Sequence, residues 1–378
     1  MNHSATVAVE RCEDYDEAAV TAAVAAAVEN AGGLAAAVSP GDRVLIKANL
    51  LAPVPPEAAV TTHPAMVKAA IAMVREAGGE PLVADSPGFL FVGGEDSAIE
   101  ASGVKQACDE MGADSFQFEQ VERPYVETEV PGGQWLSSIY AARLALEADA
   151  IITLPKLKTH ENTMYTGAVK NMFGAVAART RKKAHRAGSY ERFSAAVVDI
   201  FSALKPGFAI MDAIVGMEGS GPRHGEPRQV GLVLASPDPV ALDAIATAIA
   251  GFRPGEVATT RIAAGRGLGI GDLGSIDIAG VSIREAAVRF RKPGGLKRNL
   301  PSFLFAVADR LTRVQPACAE SVCTQCGQCR LACPVAAISM APYPVIDRER
   351  CIECYCCNEL CPTGAMELRR SWLARRLV

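Results

Sequence analysis

Short apolar runs rich in β-branched residues alternate along most of the chain with longer stretches whose apolar positions recur every three or four residues. The short runs are Val44–Lys47, Leu82–Ala84, Ala150–Leu154, Phe208–Met211 and Val230–Ala235. Being almost continuously apolar, they predict strands buried on both faces, as in a parallel or mixed sheet. Helices are predicted between them. Asp14 with Glu17 has the form of a capping box, opening a helix that Gly32 ends. Pro64 occupies a first helical position and Gly78 closes that helix. Asp238 to Ala250 makes a further helix. The alternation defines an α/β class: a layered parallel or mixed sheet with helices on both faces.

This pattern covers residues 1–290. Residues 291–316 then form a basic linker: between Arg289 and Arg313 stand seven Lys or Arg and one acid, Asp309. A helix packed between domains accounts for it without a membrane or an acidic partner. Residues 317–368 make a second, small α+β domain, and 369–378 a basic tail with four arginines and Trp372.

Composition narrows the class. Of 378 residues 49% are hydrophobic and 21% charged, with 38 basic against 42 acidic side chains and a formal charge of -4. Such a chain is too apolar for intrinsic disorder and lacks the basic excess of a nucleic-acid binder. No uncharged apolar stretch reaches the 18 or so residues of a membrane span. The first residues show no basic-then-apolar leader, so a cytoplasmic protein is expected.

The cysteines are the strongest signal. Cys12 and Cys108 are the only two before residue 318; ten more fall between Cys318 and Cys361. Eight of these repeat with an offset of 28 residues. Cys323, Cys326, Cys329 and Cys333-Pro334 recur as Cys351, Cys354, Cys357 and Cys361-Pro362. Three thiolates at this spacing can wrap three corners of a cubane. The fourth, held before a proline, is carried away and serves the other cluster. The crossed pattern predicts one [4Fe–4S] cluster on Cys323, Cys326, Cys329 and Cys361, and a second on Cys351, Cys354, Cys357 and Cys333. A zinc ribbon would use two separated pairs and four ligands, which this run overshoots. Cys318 and Cys356 are left as bystanders. The module resembles a bacterial two-cluster ferredoxin, which implies one-electron transfer.

In the large domain, polar residues follow directly on the apolar runs: Lys47 and Asn49, Asp85 to Gly88, Pro155 to His160, Asp212, and Ser236 with Asp238. Ligands of open α/β sheets bind beyond the carboxyl ends of the strands, so these groups predict one shared pocket. Lys156, Lys158, His160, Lys170 and Asn171, with Arg179, Arg181, Lys182, Lys183 and His185 nearby, suit an anionic ligand. A metal site would recruit His63, His160 and Asp85, but no tight ligand spacing supports it. Gly269-x-Gly271-x-x-Gly274 spells a dinucleotide fingerprint, yet a helix-like stretch precedes it and a strand-like one follows. It is a turn, since the true motif has the reverse order. Neither a P-loop nor a Gly-x-Ser-x-Gly elbow is present.

Taken together, Val44 to Leu50, Thr61-Thr62-His63-Pro64, Leu154 to His160, Lys170 to Gly174, Met217 to Pro222 with Gly225, and Asp238 to Asp243 resemble the family called domain of unknown function 362. That resemblance spans roughly residues 40 to 250. It implies an iron–sulfur protein, often with a C-terminal ferredoxin module. A more distant likeness, in fold only, runs to the nickel-dependent lactate racemase group.

The expectation is therefore an iron–sulfur oxidoreductase. Electrons from a redox partner protein would pass through two [4Fe–4S] clusters to an anionic small molecule. Lys47, Asn49, His63, Asp85 and Asn171 would bind that substrate. His160, Lys156, Lys158 and Lys170 would be catalytic, with His160 or a neighbouring lysine as acid. The alternatives are a non-enzymatic carrier whose large domain is a docking module, and a metal-cofactor enzyme.

Overall fold

The computed structural model describes residues 4–88, 97–293 and 314–370. Its main sheet is built from β1 (Ala5–Arg11), β2 (Arg43–Lys47), β3 (Glu80–Asp85), β4 (Asp114–Gln117), β7 (Ala150–Thr153), β8 (Lys156–His160), β9 (Met164–Thr166), β10 (Phe208–Glu218), β11 (Glu226–Ser236) and β12 (Ile276–Gly280). A separate hairpin joins β5 (Tyr125–Glu129) to β6 (Ser138–Ala142). The sheet order is β12-β1-β11-β10-β7-β2-β3-β4, with β8 on β10 and β9 on β8. From β10 to β4 the neighbours are parallel. The strand β11 is antiparallel to both β10 and β1. The sheet is thus mixed, as the apolar runs predicted.

Alternation along β2 divides the core. Val44 and Ile46 pack in one cluster with apolar residues of the helices Glu17–Asn30 and Pro64–Glu76. Leu45 points the other way, into a cluster that holds Val197 and Ile200 of the helix Tyr190–Leu204. Ala209 and Met211 of β10 join the helix Pro239–Ile249 in a third. Helices cover both faces. This burial is what fixes the strand register, since a one-residue slip would turn every side chain to the wrong layer.

Three sequence expectations change in detail. The first helix is capped by Asp16, whose carboxylate accepts from Ala19 N at 2.9 Å, whereas Asp14 accepts from Asp16 N. Helix entry therefore comes two residues later than a cap at Asp14 would set it. The hairpin β10–β11 is longer than its apolar centre, because its outer end carries exposed Glu226 to Gln229. Most important, Lys156 to His160 is not a loop but a fully buried strand. Pro155, with no N–H to donate, interrupts what would otherwise be one strand. The pairing on β10 passes from Ile152 opposite Phe208 to Lys156 opposite Asp212.

The glycine run is a turn between the helix Ala258–Gly265 and β12. Ile270 N donates there to Asp238 at 2.7 Å, and a Cβ at Gly269 would fall 2.3 Å from an Asp238 oxygen. Close approach explains the glycine.

The cysteine module pairs β13 (Val314–Cys318) with β16 (Met366–Arg370), and β14 (Ile338–Met340) with β15 (Pro344–Ile346). Its first strand begins inside the stretch assigned to the linker, and its last enters the stretch assigned to the tail. Arg291 is bound to Glu218 and Glu226 of the sheet hairpin. The rest of the basic linker, 294–313, and the tail beyond 370 lie outside the described residues. Two short helices, Gln328–Ala332 and Cys356–Glu359, stand at positions 28 apart and pack together. Among the described residues no helix is long and apolar enough to cross a membrane.

Candidate functional site

The carboxyl ends of β2 and β3 place Lys47 and Asp85 side by side. They form an ion pair at 2.5 Å with each side chain 1% exposed. Burial pushes the Lys47 ammonium down and the Asp85 carboxyl up, and each partner offsets part of the other's shift. Lys47 also donates to Asn171 Oδ1 at 3.1 Å, while Asn171 Nδ2 donates to Lys47 O and Thr153 Oγ1. Asp85 accepts from Leu50 N and Ser86 N. Gly174 lies against the pair: a Cβ there would sit 2.2 Å from Asp85 Oδ1.

Beside this pair opens a cleft with a volume of about 80 Å³. This is well above the roughly 10–15 Å³ that a single water needs. Lys47, Asn49, Asp85, Lys158, His160, Lys170 and Asn171 all line it, with Arg181 and His185. The sequence predicted these groups together, and the fold brings them together.

The electrostatics are one-sided. Lys158 donates to Val60 O at 2.6 Å, and burial with the Lys170 and Lys156 charges holds it well below the ordinary lysine range. Lys170 keeps some solvent exposure; packing nonetheless lowers it to about 8, with Glu359 opposing that shift. His185 falls to about 3 through burial, and His160 is held well below 6.5 by burial and by Lys170, His185 and Lys158. His160 Nδ1 accepts from Asn162 N at 3.0 Å, which leaves the proton on Nε2. That nitrogen stands 3.6 Å from Glu359. Three buried polar atoms on the cleft, Asn49 Oδ1, Thr166 Oγ1 and Arg181 Nε, have no hydrogen-bond partner among the described residues. Buried polar groups are normally satisfied, so these three are open to a ligand or to water in the cleft.

Lys156 and His63 go elsewhere. Lys156 Nζ donates to Asp212 at 2.8 Å and to Tyr15 Oη at 2.6 Å, and Tyr15 Oη donates to the other Asp212 oxygen. His63 caps its helix through Nδ1, donates its backbone N–H to Asp212, and stacks on the Tyr15 ring with centroids 3.6 Å apart. Burial lowers its pKa to about 4. This second polar cluster ties the N-terminal segment to the sheet, and neither residue lines the cleft.

One wall of the cleft comes from the cysteine module: Cys356, Glu359 and Leu360. Asn162 Nδ2 reaches across, donating to Cys354 O at 2.6 Å and to Glu359 Oε1 at 3.2 Å. Arg186 bonds Pro334 O, and His224 bonds Asn358 O. Burial raises the Glu359 carboxyl to about 7. Within the module, one cavity is lined by Cys323, Cys326, Cys329 and Cys361. Another is lined by Cys333, Cys351, Cys354 and Cys357. These are the two crossed sets, and four cysteines on each cavity fit a cubane cluster.

Sequence reasoning missed Tyr15, Asn162 and Glu359. For Glu359 the structure supplies what the sequence alone does not. The repeat equates it with Leu331, which is 56% exposed, whereas Glu359 is 8% exposed. An acid buried where its copy carries an exposed apolar residue marks a changed environment.

The sheet, the cleft and the thiol cavities together define an α/β protein carrying a 4Fe–4S cluster-binding module. Residues 322–365 match the 4Fe-4S dicluster domain. Residues 44–248 match the domain of unknown function DUF362, and the chain belongs to that family. A thylakoid-associated protein of Synechocystis sp., sll1697, is 34% identical over 262 residues, covering 67% of this chain and 77% of its own. The lactate racemase apoprotein of Thermoanaerobacterium thermosaccharolyticum aligns over 65% of this chain at 13% identity, with a TM-score of 0.42. A structural-genomics protein from Thermotoga maritima aligns over 61% at 14% identity, with a TM-score of 0.38. The chain spans 57% of the length of each of these two structures.

Proposed function

We propose that the protein is an oxidoreductase that reduces a small anion in the cleft, using electrons brought to the cysteine module by a partner protein. Two [4Fe–4S] clusters are assigned to it. Cys323, Cys326, Cys329 and Cys361 hold one, and Cys333, Cys351, Cys354 and Cys357 the other. When bound, such clusters supply one-electron transfer at a potential set by their surroundings. Lys158, Lys170 and Arg181 hold the anion. The Lys170 ammonium stands ready as a proton donor, and the neutral His160 offers its Nε2–H as a hydrogen-bond donor to the anion. Phe173 and Leu360 exclude water.

The observation that carries this reading is the shared wall. Cys356, Glu359 and Leu360 line the cleft, while Cys354 and Cys357 of the same turn line a thiol cavity. A scaffold-only large domain does not require Lys158, Lys170 and Arg181 to converge on one cleft.

The test begins with anion binding. Phosphate, acetate or oxalate is expected to raise the melting temperature of the wild type, and Lys158→Ala or Lys170→Ala to remove that gain. Because Lys170 is protonated below about 8, affinity should fall as pH rises through that value. A reducible anion, nitrite or fumarate being the probes, should then take up electrons and protons and so reoxidise the reduced protein under anaerobic conditions. His160→Ala should abolish this reoxidation and leave the brown absorption intact. No stabilisation by any of the three anions, or unchanged reoxidation in His160→Ala, would refute the reading.

A further inference from the structure

Lys170 and Asn171 reach the cleft from a helix of only four residues, Ala168–Asn171. A turn of that length is unstable by itself, because helix nucleation is unfavourable. Something outside it must hold it. We infer that Asp243, which does not line the cleft, is the positioning residue of the anion site: its carboxylate grips the entry to this turn and so sets where Lys170 stands. This rests on the reading of the cleft as an anion site.

Asp243 sits in the middle of the helix Pro239–Ile249 and is 1% exposed. Its Oδ1 accepts from Ala168 N at 2.7 Å and its Oδ2 from Val169 N at 3.0 Å. The first N–H groups of a helix have no partner within it, and here a side chain from another helix satisfies two of them. Tyr165 Oη, on β9, donates to Oδ1 at 3.0 Å. One carboxylate therefore clamps both sides of the step that carries Thr166 past the cleft and leads into Lys170. Burial pushes the carboxyl up to about 7, and the three donors oppose that shift.

Gly167 shows how close the approach is. A Cβ there would fall 2.1 Å from Asp243 Oδ1 and 2.3 Å from the Tyr165 ring. Its backbone is extended, at φ -142°, so the glycine answers to space and not to conformation. The far end of the turn is tied by Asn171, whose side chain bonds Lys47 O and Thr153 Oγ1. Lys170, between the two anchors, is held from both sides. Asp199 provides a matched comparison. Fully buried, it accepts from the backbone N–H groups of Gln134, Trp135 and Leu136 and pairs with Arg266, yet the segment it holds does not line the cleft.

Calorimetric titration of phosphate, acetate and oxalate into the full-length, cluster-loaded protein tests the assignment, with urea unfolding run alongside. Asp243→Asn keeps the shape but replaces one accepting oxygen by a donor. It should weaken binding of whichever anion the wild type takes by roughly tenfold or more, the equivalent of losing a charge-assisted hydrogen bond to Lys170. Gly167→Ala keeps the carboxylate but displaces it, and should do the same. Asp199→Asn should lose stability and retain wild-type affinity. Wild-type affinity in either folded variant, Asp243→Asn or Gly167→Ala, would overturn the inference. So would an equal loss of affinity in Asp199→Asn, which would reduce the effect to general destabilisation. Failure of the wild type to bind any of the three anions would strike the anion reading itself, and this assignment with it.

Discussion

Alanine at Cys333 or at Cys351 should remove the same cluster, although these residues lie in different halves of the repeat. Alanine at Cys361 or Cys323 should remove the other. The expectation follows from the cavities, where Cys333 lies with Cys351, Cys354 and Cys357, and Cys361 with Cys323, Cys326 and Cys329. Each single variant should lose roughly half of about eight irons. The Cys333 and Cys351 variants should show one residual resonance spectrum, and the Cys361 and Cys323 variants a different one. If Cys333→Ala instead matched Cys323→Ala, each half would bind its own cluster and the crossed assignment would fail.

The second large effect lies away from the cleft. Asp212 is fully buried and accepts from Lys156, from Tyr15 and from the His63 backbone. Asp212→Ala leaves the Lys156 ammonium buried without a counter-charge. Breaking one side of such a pair costs about 3–5 kcal/mol, whereas replacing both sides by apolar groups is often near neutral. Urea unfolding should therefore show a loss of that size for Asp212→Ala, and recovery of much of it in the double variant Lys156→Met, Asp212→Leu. A loss under about 1 kcal/mol for the single variant would mean that water or another group compensates Lys156.

The contrast between β2 and β8 shows what the sequence could reveal. β2 is legible because its buried positions are Val44, Leu45 and Ile46, so hydrophobicity and burial coincide. β8 is equally buried, but its inward groups are Lys156, Lys158, Thr159 and His160, held by ion pairs and hydrogen bonds rather than by transfer from water. Hydropathy therefore reads it as a loop, and only the alternation of its cations hints at a strand. The site was legible to a similar degree. The polar groups after β2, β3 and β7 converge because parallel strands end at one edge of the sheet. Lys156 and His63 diverge because Tyr15, far away in sequence and without any motif, supplies their partner together with Asp212. The contribution of Glu359 depends on how the module docks, which no local pattern encodes.

That docking has a consequence for traffic through the module. A free carrier built on a repeat has two interchangeable ends, each able to greet a visitor. Here the turn that carries Cys356 and Glu359 is committed to the cleft, while its copy still presents Leu331 to solvent. On the proposed reading the face at Leu331 is, among the described residues, open to the partner protein. The protein would then behave as a terminus rather than a relay, and whatever arrives at the open end can only be spent inside.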